Sequence, residues 1–199
     1  ERSLIDILRG DSAFSVRLLR EQIERYIDDE VVALLAAEHR RGRALLIGTT
    51  NLDAARPVTW NVTRIAASGA PGARSLIHDV ILASASIPGA FPPVMIGVEA
   101  AGQSYEEMHV DGGVTAQVFI YPTGLDWARV ARRLGIEGRP QLYVIRNSHG
   151  QPDWQSVERR VIPILSRSVD SLIRTQGIGD IATIYFLARR DGIDFHLAH

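Results

Sequence analysis

The sequence contains no cysteine. A disulfide framework, thiolate chemistry and a cysteine-based metal site are therefore excluded, and redox chemistry leaves the compartment open. Long hydrophobic runs are also missing. The longest, Val31–Ala37, falls far short of the ~20 apolar residues that a spanning helix needs. The chain starts at Glu1 with neither an initiator Met nor a signal-type segment. A net charge of −1 provides no global attraction to nucleic acid or to an anionic membrane. The arginine pairs Arg40-Arg41, Arg132-Arg133, Arg159-Arg160 and Arg189-Arg190 are scattered and balanced by acids, and they read as solvated helix and strand ends. The phosphate-cradling patterns G-x-G-x-x-G and G-x-x-x-x-G-K-[ST] are absent, as is the nucleophile elbow G-x-S-x-G.

What remains is a chain of 199 residues, 46% hydrophobic and 23% charged, which suits one α/β domain spanning residues 1–199. Residues 3–9 read as a helical turn or two stopped by Gly10. Val16, Leu19, Ile23 and Ile27 form the stripe of an amphipathic helix, and Asp28-Asp29-Glu30 open another that closes near Arg40-Arg41-Gly42. Packing on a sheet is the expected role of these helices, ahead of contact with a membrane surface. Strands are expected at Ala44–Thr50, Pro57–Val62, Val94–Val98, Ser104–Val110, Gln141–Arg146, Asp180–Ala188 and Ile193–Leu197. Ile65–Ser68 and then Gly69–Gly72 are expected to give a short turn. Helices are expected at Ala73–Ser86, Leu125–Leu134 and Trp154–Thr175, the last kinked at Pro163, and Val114–Tyr121 is a further apolar segment. Helices alternating with strands argue for a layered α/β fold.

The stretch from Ile81 to Gly113 organises the rest. It passes from an apolar helix through a break at Pro88-Gly89 and two short strands to Asp111-Gly112-Gly113. An acid at a strand end, followed by glycines that let the backbone turn sharply, projects a carboxylate into a cleft, although the same pattern also makes an ordinary turn. The six histidines are dispersed and form no H-x-x-x-H pair. His109 and Asp111 share a strand face and could ligate one ion; a hydrogen-bonded strand-end histidine is the preferred reading, so no metal and no cofactor are expected.

Three segments in order, T-T-N-L-D-A-A-R-P-V-T-W-N, A-S-A-S-I-P-G-A-F-P-P-V and H-V-D-G-G-V, resemble the patatin-like phospholipase family across about residues 44–125. The resemblance implies a three-layer α/β/α fold and lipid acyl hydrolysis by a Ser-Asp dyad. Asp111 would be the dyad acid that accepts the serine proton, and Gly112 and Gly113 would let the chain turn closely beside the nucleophile. The serine would form an acyl-enzyme that water releases, with a glycine-rich turn binding the oxyanion.

The chain departs from the family pattern in lacking both the elbow and the oxyanion turn, which in the family precede the helices found here at the start. The expectation is therefore a C-terminal portion carrying the acid, with the nucleophile serine on an N-terminal segment that also supplies missing sheet strands. Strands such as Ala44–Thr50 and Gln141–Arg146 would otherwise face an open edge, leaving the chain to be held by that segment or by self-association. Ser84 and Ser86 are the obvious substitutes for the nucleophile, but they read as polar helix-end serines without flanking glycines. The expected partner is a lipid or acyl ester met transiently at a membrane surface, with no nucleic acid, and the cell envelope or periplasm is favoured as the location. The alternative is a catalytically inactive module of the same fold that binds acyl chains or a protein.

Overall fold

A computed structural model describes residues 16–88, 91–116, 118, 127–147 and 154–198. The expected turn at residues 3–9, the break at Gly89 and half of the apolar segment 114–121 lie outside these residues. The chain divides into two compact units, Glu1–Thr115 and Ala116–His199.

In the first unit, residues 16–26 are helical (α1), followed by α2 (Asp29–Arg40), β1 (Leu46–Asn51), β2 (Arg56–Asn61), α3 (Val62–Ala67), α4 (Ala73–Ser84), β3 (Val94–Ala100) and β4 (Gln103–Asp111). Asp28 caps α2 by accepting from the Val31 N–H at 3.0 Å, as its place before an acidic first turn suggests. Val62, expected to end a strand, instead opens α3, because the Asn61 side chain accepts from the Arg64 N–H at 2.9 Å and makes an N-cap. Residues 65–67, expected to belong to a turn, therefore lie in that helix.

The four strands form one antiparallel sheet in the order β2-β1-β4-β3. Strand alternation puts Ile47, Trp60, Val94 and Ile96 on a single face, and the helices cover it. Ile77, Val80 and Ala83 of α4 are fully buried there, with Ile23 of α1 and Val62 and Ala66 of α3 in the same core. Burying each such large aliphatic side chain contributes about 1.5–3 kcal/mol. Polar bonds tie the layer together. The His78 Nε2–H donates to the Ile27 carbonyl at 2.7 Å, and Arg20 pairs with Asp79 at 3.0 Å.

The second unit contains α5 (Trp127–Leu134), β5 (Gln141–Ile145), α6 (Val161–Asp191) and β6 (Asp194–Ala198), with β5 and β6 pairing in parallel. Two expectations fail here. Trp154–Arg160 is not helical, and α6 starts at Val161. Pro163 consequently falls in the first turn, where a missing N–H costs nothing and no kink is needed. Asp180–Ala188 is no strand but the last part of α6, burying Ile184, Leu187 and Ala188 before Gly192 ends the helix in the left-handed region. Its β-branched and aromatic composition states a weak preference that packing at helical spacing overrides. The β6 pairing at Asp194–Ala198 agrees with the expected last strand to within a residue.

Candidate functional site

Asp111 is the last residue of β4, and its backbone is tied on both sides. Its N–H donates to the Ser86 carbonyl at 3.0 Å, and its carbonyl accepts from the Thr50 hydroxyl at 3.0 Å. The Thr50 hydroxyl also lies 2.8 Å from Thr115 Oγ1, beyond the short 3-10 turn Gly112–Val114. The carboxylate is half-buried. Oδ1 accepts from the Gly113 N–H at 2.7 Å, and Oδ2 makes no hydrogen bond among the described residues. Burial pushes the Asp111 carboxyl up from its ordinary value, and the Gly113 N–H opposes that shift.

The two glycines act differently from what their freedom to turn suggests, since neither has a positive φ. Gly113 supplies the N–H that holds the carboxylate. Gly112 is required for space: a Cβ there would lie 2.6 Å from the Gly48 carbonyl oxygen. The sharp turn after Asp111 is built by close packing against β1.

Ser84 and Ser86 both give their hydroxyl protons to helix carbonyls, Ser84 to Ile81 and Ser86 to Leu82, each at 2.8 Å. Ser86 is also buried. Serines bonded back along the preceding turn are structural helix-end serines.

His109 lies in the core, fully buried, with Nδ1 2.9 Å from Thr49 Oγ1 and Nε2 3.4 Å from Glu107. It is the hydrogen-bonded strand histidine of the preferred reading. Among the described residues no group of three or more His, Asp or Glu side chains could hold a metal ion, and no helix is long and apolar enough to cross a membrane.

Thr49, Thr50 and Trp60 are site-supporting residues that sequence reading did not single out. The available signal was a threonine pair inside an otherwise apolar strand. Buried hydroxyls in that setting need partners, and here they tie β1 to Trp60, to His109, to the Asp111 carbonyl and to Thr115.

No curated protein matches this chain. The family model for patatin-like phospholipase matches residues 3–123, more than half of the chain and including every strand of the first unit together with Asp111. The match and the α/β architecture agree: the chain belongs to the patatin-like phospholipase family, a family of lipid acyl hydrolases.

Proposed function

We propose that Asp111 is the base of a Ser-Asp dyad that hydrolyses lipid acyl esters, with a serine supplied from outside these 199 residues. One observation carries the reading. The Asp111 carboxylate stands at a strand end with its backbone fixed at both polar groups and one oxygen occupied by Gly113, while the other oxygen has no partner among the described residues. A carboxylate held in this way is ready to take a proton.

In the reaction the serine Oγ attacks the ester carbonyl as its proton passes to Asp111. The tetrahedral intermediate collapses, the ester C–O bond breaks, and the leaving alcohol takes the proton back from Asp111. Water then attacks the acyl-enzyme, giving a proton to Asp111, and that proton returns to the serine as the fatty acid leaves. The substrate is a lipid ester reached at a membrane surface, and the net charge of −1 suits transient contact better than tight adsorption to anionic lipid. The same reading makes a segment bearing the serine the partner of this domain and favours the cell envelope or periplasm over the cytoplasm as its location.

The hydroxyls of Ser84 and Ser86, both committed to helix carbonyls, favour a second reading if the gene supplies no elbow: an inactive module that binds acyl chains or a protein. The deciding experiment uses the protein as its gene encodes it, assayed on a short-chain ester and on phospholipid vesicles, with Asp111→Asn as its partner. Hydrolysis that falls by at least about a hundredfold in the folded variant supports the dyad. Turnover close to the parent's in Asp111→Asn overturns it, and a parent with no hydrolysis and no serine reactive to a fluorophosphonate establishes the inactive module.

A further inference from the structure

Behind Asp111 a chain of hydrogen bonds, buried at its centre and part-buried at its ends, crosses three strands. Indole nitrogen can only donate, so Trp60 Nε1 on β2 gives its proton to Thr49 Oγ1 on β1, at 2.8 Å. Glu107 Oε2 lies 3.4 Å from His109 Nε2 on β4 and, as a carboxylate, can only accept. A neutral ring then carries its proton on Nε2 and leaves Nδ1 as an acceptor. The Thr49 hydroxyl, having accepted from Trp60, donates to that nitrogen at 2.9 Å. Every proton in the chain thus runs one way, from Trp60 through Thr49 and His109 to Glu107. The tilted Trp60 and His109 rings, with centroids 5.6 Å apart, pack alongside. Thr49 and His109 have no solvent exposure, so breaking one link would strand a buried polar group, which makes the chain stiff.

Its position matters because of the sheet register. β1 and β4 pair through Thr49↔Asp111, Thr50↔Val110 and Asn51↔His109. Thr49 is therefore the residue directly opposite Asp111 on the same face, and His109 precedes Asp111 by two positions on that face. The chain pins the β1 residue paired with the aspartate and the β4 residue two positions before it.

We infer that Thr49 and His109, oriented by Trp60, are positioning residues for Asp111: they set the height and direction of the carboxylate without touching substrate. This rests on the dyad reading. Losing the Thr49 hydroxyl would leave Asp111 chemically intact but displaced, and a displaced base slows the chemical step more than it weakens substrate binding.

The test uses the protein as its gene encodes it, with a short-chain ester as substrate. In Thr49→Val, kcat falls about tenfold while KM stays within about twofold, and Thr49→Ser restores most of kcat because it keeps the hydroxyl. Trp60→Phe keeps a ring and removes the indole N–H; it is expected to lower kcat by a few-fold, and it guards against a folding defect in Thr49→Val. Nitrogen NMR of His109 in the parent shows a neutral ring protonated on Nε2. The inference is overturned by parent-like kcat in folded Thr49→Val, or in Trp60→Phe if the valine variant does not fold. It is equally overturned by a Thr49→Ser loss as large as that of valine, or by a ring protonated on Nδ1. Asp111→Asn run in parallel separates the two claims: if that variant stays active, the dyad reading has failed. If it is inactive while Thr49→Val turns over normally, only the positioning role has failed.

Discussion

Gly112 rests directly on the backbone of Gly48: a Cβ added to Gly112 would stand 2.6 Å from the Gly48 carbonyl oxygen and 2.7 Å from its carbonyl carbon. The turn that follows Asp111 is thus pressed onto β1 by two residues without side chains. Backbone cannot swing aside as a flexible side chain can. Gly112→Ala is expected to force the turn away from β1 and to cost about 1–3 kcal/mol, the range for overpacking. Thermal melting measures the stability loss. An alanine variant as stable as the parent would show that the contact is loose.

The acid limb of catalysis should report the environment of Asp111. The base acts only when ionised, and burial raises its carboxyl above the ordinary value. The rate therefore falls as pH drops through that raised value, and the limb lies at higher pH than an exposed aspartate would give. A pH profile of kcat/KM for the native gene product locates it. A limb at or below the ordinary aspartate range contradicts a buried base.

The same raised value has a consequence for stability. The folded protein holds the Asp111 proton more tightly than the unfolded chain does. Stability from this group is therefore fully present below the ordinary carboxylate value of 3.8 and is lost as pH rises through the folded value. At neutral pH the ionised group opposes folding. Asp111→Asn removes the charge, and the amide oxygen can still accept from the Gly113 N–H. The variant should melt at the same or a higher temperature than the parent at pH 7, with the difference vanishing in acid. A clear drop in Tm at pH 7 would show that the carboxylate is net stabilising.

Ser84 and Ser86 offer a test of the missing nucleophile. With both hydroxyls bonded to the carbonyls of the preceding turn, neither gives its proton to a base, and neither is activated. These 199 residues, expressed alone and folded, should hydrolyse no ester above background and should remain unlabelled by a fluorophosphonate. Stoichiometric labelling of either serine would relocate the nucleophile to the end of α4.

The β3–β4 hairpin turns at Ala101-Gly102, both with positive φ, 51° and 76°. A non-glycine residue in this region carries about 1–2 kcal/mol of strain, which asparagine tolerates better than alanine, and Asn-Gly is the favoured pair for such a two-residue turn. Ala101→Asn should raise stability by a few tenths to about 1 kcal/mol. This turn is at the end of β4 remote from Asp111, so turnover should not change. Unchanged or lower stability by thermal melting would mean that the turn geometry is wrong.

Local pattern and motif carried much of this protein. The spacing of Val16, Leu19 and Ile23 marks α1, the acids at Asp28-Asp29-Glu30 mark the start of α2, and the segment ending in Asp111-Gly112-Gly113 marks both a strand end and a family. These signals are readable because helix stripes, caps and strand ends depend on neighbours a few residues apart. Tertiary structure decided the rest. Asp180–Ala188 resembles a strand by composition yet completes α6, because side chains packing at helical spacing outweigh a weak local preference. The partnership of Thr49 with His109 joins residues 60 positions apart. It exists only because β1 and β4 pair in one register, and a slip by a single residue would turn every one of these side chains to the other face. Gly112 likewise looks like a residue chosen for its freedom to turn, but the Gly48 backbone beneath it is what requires glycine there. Such contacts depend on which strands lie side by side, and that is set by burial of the whole sheet face under α1–α4.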